Sequence, residues 1–355
     1  MGWKGKMTMN REKPTRSDHA PTAPEIEIPR RQEAVLITAA GGPEVLRLGT
    51  LPVPVPGPGE VLIKAAAAGV NRHDCNQRRA GPEHDPNPVP GLEVAGVIVA
   101  LGNGVPRSRL GERVAALTQG GGYAHYVTAS SPLALPAPQS LSDVEAAALP
   151  EALFTAWFNF FDVLRLTPGE RILIHGGTSG VASLAIQALT AIGYEVFATC
   201  GSERKRAAAL GFGARAAFDY SDADLASQVK AATGGHGVDV ILDVSAGAHL
   251  GADLDMLAPD GRIGHLSAGG GRDLPAPLRT LMAKRISITG SLLRPLPLPR
   301  KAAVAERLLR DVWPMVGMAV RPAIAASFPL AEAADAHRAI ERADHIGKIV
   351  LMVEG

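Results

Sequence analysis

Cysteine is nearly absent from this chain. Two thiols, Cys75 and Cys200, stand in 355 residues. They can build neither a disulfide framework nor a four-cysteine zinc site, and the usual burial of free thiols makes packing their expected role. A reducing, cytoplasmic setting fits that scarcity. Net charge is equally scant, because 36 Lys and Arg against 35 Asp and Glu leave +1. Such a balance asks for neither nucleic acid nor an anionic membrane as partner. No apolar run is long enough to span a bilayer. The polar N-terminus lacks the apolar centre of a secretory signal.

What is present suits a two-domain globular protein: 355 residues, 46% hydrophobic and 20% charged. Residues 1–32 mix charge with Pro, Ser and Thr and read as a disordered tail. Its acidic Glu12, Asp18, Glu25 and Glu27 argue against a transit peptide. From Glu33 onward come short apolar runs (AVLIT, VLIKAAAAGV, AGVIVALG, ERVAAL) separated by Pro and Gly, the texture of an irregular, mostly β domain. Beyond Pro168-Gly169 the rhythm becomes strand–helix alternation. RILIH (171–175) precedes an amphipathic helix carrying Val181, Leu184, Ala185, Ala188, Leu189 and Ile192. EVFAT (195–199), AAFD (216–219), VDVILDV (238–244), GRIGHLS (261–267) and ISITGSLL (286–293) read as further strands, with helices over 203–210 and 222–233. This α/β pattern predicts a doubly wound parallel sheet. From about Val320 a strand, a helix and the terminal strand GKIVLMV break the alternation and are read as a return to the first domain.

The turn after RILIH runs from His175 to Ala182 as HGGTSGVA. A pyrophosphate needs backbone N–H donors at close range and a helix N-terminus aimed at it, and glycines clear the approach. Set on G-x-G-x-x-G, the positions fall on Gly177, Ser179 and Ala182; only the first is glycine, and Gly180 adds freedom beside it. An ordinary glycine-rich βα turn is the plainer alternative. The strand before, the helix after and a second βα unit at the right distance favour a dinucleotide. The second strand ends in Thr199-Cys200-Gly201-Ser202, with no carboxylate to hold a 2′-hydroxyl. Ser202, Arg204 and Lys205 follow at once, as a 2′-phosphate would require, so the expected cofactor is NADPH.

Several blocks in order, AGVNRHDCNQR, PGLEVAGVIVALG, GERVAALTQGGGYAHYV, LPEALFTAWFNF, GGTSGVASLAIQALTAIGYEVFATCGSERK, GVDVILDVSAG, GSLLR and GKIVLMV, resemble the zinc-free quinone oxidoreductases, or zeta-crystallin-like branch, of the medium-chain dehydrogenase/reductase superfamily. The resemblance covers 33–355. It implies a GroES-like substrate domain (33–155 plus 320–355) interrupted by a Rossmann domain (156–319). It implies that Asn71 and Thr155 lie near the nicotinamide, and that Gly177, Thr178, Ser179, Gly180 and Val181 hold the pyrophosphate. Gly201, Ser202, Lys205 and Tyr220 would surround the adenosine ribose and its phosphate, while Ser245, Leu266, Ser267 and Leu292 would line the nicotinamide side. It also implies a homodimer paired through edge strands such as ISITGSLL.

Zinc-dependent relatives carry a Cys in the first of these blocks, a His-Glu pair in the second and a further ligand just before the Rossmann domain. Here those places hold Asn71, Leu92-Glu93 and PEALFTAW, so no metal site is expected. The consecutive His73, Asp74 and Cys75 do not replace it, since neighbours in sequence rarely face one ion together. Without a Lewis acid, the fitting substrate is already electrophilic: a quinone, or else an enone or enoyl thioester. A cofactor-binding protein with little catalysis is the reading from another class. The residues assign no proton donor. The loop RAGPEHDPNP lacks the tyrosine some relatives place there; His84 is a candidate in its place, with a solvent-exposed loop histidine the plainer alternative.

Overall fold

The structure is a computed structural model and describes residues 1–2, 27–85, 87–245, 247–267, 273–274 and 276–353. Most of the expected disordered tail, residues 3–26, lies outside the described residues.

The chain opens with β1 (Arg31–Ile37), β2 (Leu46–Pro52), β3 (Glu60–Val70) and α1 (Arg72–Ala80). It continues through β4 (Glu93–Leu101), β5 (Arg113–Leu117), β6 (Tyr126–Ser130) and β7 (Ala134–Pro136) to the helices α2 (Asp143–Ala146) and α3 (Pro150–Trp157). Then come β8 (Arg171–His175), α4 (Gly180–Ala191), β9 (Glu195–Cys200), α5 (Glu203–Gly211), β10 (Ala216–Asp219), α6 (Leu225–Ala232), β11 (Val238–Asp243), α7 (Leu250–Met256) and β12 (Leu257–His265). The last elements are α8 (Leu278–Lys284), β13 (Ser287–Gly290), α9 (Leu298–Asp311), β14 (Ile324–Pro329), α10 (Ala333–Arg342) and β15 (Lys348–Met352).

Strands β8 to β13 form one parallel sheet in the order β10-β9-β8-β11-β12-β13. Counted from β8, that is the 3-2-1-4-5-6 order of the Rossmann fold, whose switch point falls between β8 and β11. The first half of the chain supplies β3 to β7 of a seven-stranded GroES-like sheet and a separate β1-β2 pair, and the C-terminal β14 and β15 complete the seven, β15 pairing antiparallel with β3. No helix among the described residues is long and apolar enough to cross a membrane.

Strand β1 begins at Arg31, two residues inside the stretch read as tail. Pairing explains it: Arg31 sits opposite Pro52, and Gln32 is buried with its Oε1 accepting from Tyr126 N at 2.6 Å. Strand β13 covers only four residues of the eight-residue run ISITGSLL, and Leu292 beyond it is exposed.

One apolar cluster joins the two sheets. It takes Leu117 and Leu135 from the GroES-like sheet, Ile172 and Ile174 from β8, and Phe154, Trp157 and Phe160 from α3 and the π-helical turn that extends it. Trp157 is fully buried. Helix α3 is thereby fixed at the junction, with its N-terminal turn facing the gap between the sheets.

Candidate active site

Doubly wound sheets leave a crevice at the carboxyl ends of their strands. Here that crevice is a groove of two connected cavities, about 470 and 710 Å³, which share Arg72, Ser179 and His345 in their walls. The segments the Rossmann sheet contributes lie at its strand ends: Gly176 and Thr178 to Val181 after β8, Cys200 at the end of β9 with Gly201, Ser202, Arg204 and Lys205 beyond it, Tyr220 after β10, Val244 after β11 and Leu266-Ser267 after β12. The opposite wall comes from the GroES-like half through Asn71, Arg72, His73 and the segment 343–349.

The groove has two chemically different ends. At one, Ser202, Arg204, Lys205, Tyr220 and Arg72 converge, and the end of β9 offers no carboxylate. Lys205 Nζ donates to the Ala343 carbonyl at 2.6 Å and Arg204 Nη2 to the Asp344 carbonyl at 2.7 Å, so the loop before β15 holds both cations in place. The Ser202 hydroxyl caps α5 by accepting from Lys205 N at 3.3 Å. The Tyr220 ring lies 5.3 Å from that of His249, which stacks 5.1 Å from His175.

Midway, Ser179 is the N-cap of α4, its hydroxyl accepting from Ala182 N at 3.2 Å. This puts the positive end of the 12-residue helix at the groove. His345 Nδ1 is buried there without a hydrogen-bond partner.

The other end is deep and ionic. Lys348 Nζ reaches Glu93 Oε1 and Asn71 Oδ1, each at 2.6 Å. Asn71 Nδ2 donates to Glu93 Oε1 at 2.9 Å, and Glu151 N donates to Glu93 Oε2 at 2.8 Å. Thr155 Oγ1 donates to Glu151 Oε1 at 2.9 Å, one helical turn further along α3. Two glycines make room for these side chains. A Cβ on Gly69 would lie 2.2 Å from Glu93 Oε1, and one on Gly180 would lie 2.3 Å from Lys348 Cδ. The three places where zinc-dependent relatives carry ligands thus meet here, around an ammonium group. Among the described residues, no cluster of three His, Cys, Asp or Glu is arranged to hold a metal ion.

Of the residues singled out from sequence, twelve line the groove: Asn71, Thr155, Thr178, Ser179, Gly180, Val181, Gly201, Ser202, Lys205, Tyr220, Leu266 and Ser267. Gly177 lies beneath it; a Cβ there would be 2.6 Å from Ala198 Cβ, so its glycine serves close helix–strand packing. The Ser245 hydroxyl is turned to Asp243 Oδ1 at 2.5 Å, and its neighbour Val244 lines the groove instead. Leu292 lies in an adjoining cavity with His73, His84 and Arg294. Arg294 ties that cavity together, donating to Asp85, to His73 Nε2 and to the Gln119 carbonyl. Sequence reasoning missed Arg72, Glu151, His345 and Lys348. Arg72 and Lys348 stand inside the quoted AGVNR and GKIVLMV blocks, but nothing in their spacing marks them as groove residues.

A doubly wound parallel sheet joined to a GroES-like sheet, with a groove along the strand ends between them, defines the medium-chain dehydrogenase/reductase architecture. The family model described as alcohol dehydrogenase GroES-like domain matches residues 57–139, and that described as zinc-binding dehydrogenase matches 180–308. The chain is 33% identical over 328 residues to the quinone oxidoreductase of Rattus norvegicus, covering 90% of this chain and 97% of that one. It is 34% identical over 304 residues to a mycocerosic acid synthase-like polyketide synthase of Mycobacterium tuberculosis, spanning 84% of this chain but 14% of that protein. The solved quinone oxidoreductase of Thermus thermophilus, studied alone and with NADPH, is 32% identical with a TM-score of 0.77, over 90% of this chain and 100% of that one. The chain belongs to the quinone oxidoreductase family of medium-chain dehydrogenases/reductases and is an oxidoreductase.

Proposed function

We propose that the protein is an NADPH-dependent, zinc-independent reductase of quinones or similar conjugated carbonyls. The observation that carries this reading is one groove along the strand ends, with Ser202, Arg204 and Lys205 gathered after β9 and Asn71, Glu151, Thr155 and Lys348 beside α3. Ser202, Arg204, Lys205 and Arg72 suit the 2′-phosphate, with Tyr220 flanking the adenosine. The α4 N-terminus with Thr178 to Val181 suits the pyrophosphate. Thr155, Leu266, Ser267 and Asn71 suit the nicotinamide end. When bound, NADPH supplies the hydride. The protein's residues hold donor and acceptor together, exclude water and polarise the acceptor. Lys348 takes the place of a metal only as a fixed positive charge, and Glu93 neutralises it. Such a site suits acceptors that are electrophilic already.

A second reading, reduction of enones or enoyl thioesters, is favoured by the likeness to part of a polyketide synthase. The experiment is NADPH oxidation against a quinone panel and an enone panel, each with and without a chelator. Turnover of quinones that persists in the chelator is expected. Turnover lost to the chelator and restored by zinc overturns the metal-free reading, and turnover with neither panel leaves a cofactor-binding protein.

The protein is further proposed to be a cytoplasmic homodimer. Strand β13 is the outer edge of its sheet, and Leu278 and Met282 on the neighbouring α8 are about two-thirds exposed. An uncovered edge beside apolar side chains invites pairing. Light scattering at micromolar concentration is expected to give twice the 36.9 kDa chain mass; a monomer mass counts against it.

A further inference from the structure

At the end of the groove beside α3, Glu151 stands in the wall next to the Glu93–Lys348 pair. Glu93 has the ammonium: Lys348, Asn71 Nδ2 and the Glu151 amide all donate to it. Glu151 accepts one hydrogen bond, from the neutral Thr155 hydroxyl. It lines the cavity together with Thr155, Asn71 and Leu266, at the end proposed for the nicotinamide. Of two neighbouring carboxyls, the one without the ammonium is the one that holds its proton more readily, and such a difference marks a candidate acid.

We propose that Glu151 is a catalytic residue, the carboxylic acid that gives the reduced substrate its proton. This rests on the reductase reading above. Burial is the chief cause that lifts the Glu151 pKa, and the nearby Glu93 carboxylate adds to it. Lys348 and the Thr155 bond pull the other way without cancelling the rise. The other charged or titratable groups on this cavity are Arg72, His73 and Arg79 of α1 and His345 before β15.

The step balances. A quinone that has accepted hydride from NADPH is a hydroquinone monoanion, short of one proton. The Glu151 O–H bond breaks, its electron pair stays on the carboxylate, and an O–H bond forms on the substrate oxygen. Lys348 tempers the transient second negative charge. Solvent returns the proton along the groove, so the sum is quinone, NADPH and one proton giving hydroquinone and NADP+.

Glu151→Gln keeps the shape, the backbone donor to Glu93 and an acceptor for Thr155. It is expected to lower kcat about 100-fold at neutral pH, the scale of general acid catalysis, with NADPH affinity unchanged. Wild-type kcat should fall as pH rises through the Glu151 pKa, because only the protonated form donates; the variant should lack that limb. Two measurements need no cofactor. Infrared difference spectra, wild type minus variant, should show a protonated carboxyl band at neutral pH. The folded-state pKa is above the unfolded one, so stability from this group is present at low pH and lost as pH rises through the folded pKa. The wild type should therefore lose melting temperature relative to the variant with rising pH. An active wild type matched by the variant in kcat and pH profile overturns the proposal alone, as does a missing carboxyl band. A wild type idle with both acceptor panels overturns the functional reading and the proposal with it.

Discussion

Replacing Lys348 by methionine is expected to lower the free energy of unfolding by about 3–5 kcal/mol, the range found when one partner of a buried ion pair is removed. Lys348 is 4% exposed and Glu93 is fully buried, so the abandoned carboxylate has no water to turn to. Asn71 Nδ2 and Glu151 N would remain as donors, but neither carries a charge. The loss should appear as a lower denaturation midpoint with an unchanged slope. Removing the charge from both partners, as Glu93→Gln with Lys348→Met, should recover most of it, because a neutral pair owes little desolvation. A loss below about 1 kcal/mol in the single variant, the level of an exposed surface pair, would mean that water reaches the cluster. The same variant bears on Glu151: removing the ammonium takes away the chief influence that opposes the upward pull on its pKa.

This cluster also shows where the sequence stops being readable. Strands β8 and β10 fall on the expected residues because each is a short apolar run closed by a turn signal. The strand order follows from βαβ alternation and right-handed crossovers, which are local rules. The cationic end is legible for the same reason: Ser202, Arg204 and Lys205 follow one strand end within five residues. The end beside α3 has no local signature. Glu151 and Glu93 are 58 positions apart, and Lys348 is 255 from Glu93. They meet only because β15 returns beside β3 and α3 is pinned at the sheet junction. Glu151 in sequence is simply an acid in the first turn of a helix, a position the helix dipole favours anywhere. Strand β12 departs from the expected GRIGHLS for a different reason. It starts at Leu257, before Pro259-Asp260-Gly261, a triplet that reads as a turn; there the pairing with β11 skips from Val238–Leu257 to Val240–Arg262, so the triplet forms a bulge within the strand, with Asp260 at φ +64°.

Replacing Lys205 by alanine should weaken NADPH about 10-fold, and adding Arg204→Ala should bring the loss to about 100-fold, with NADH affinity little changed in either. A charge-assisted hydrogen bond to phosphate is worth about 1.5–3 kcal/mol, or roughly 10- to 100-fold in affinity. Both side chains touch water, Arg204 more than Lys205, so screening puts each single contribution at the low end of that range. Two features keep it from vanishing. The Ala343 and Asp344 carbonyls already hold the two cations, so little side-chain entropy is lost when a phosphate arrives. Arg72 lines the same cavity and adds field from the opposite wall, so the double variant should retain some preference for NADPH. NADH carries no phosphate at this position and should register only the small change in cavity shape. Titrating both cofactors against wild type, the single variant and the double variant decides the matter. If wild type binds NADH as tightly as NADPH, or if the double variant weakens both alike, the phosphate lies elsewhere and the cationic end of the groove is tied to the loop before β15 for structural reasons only.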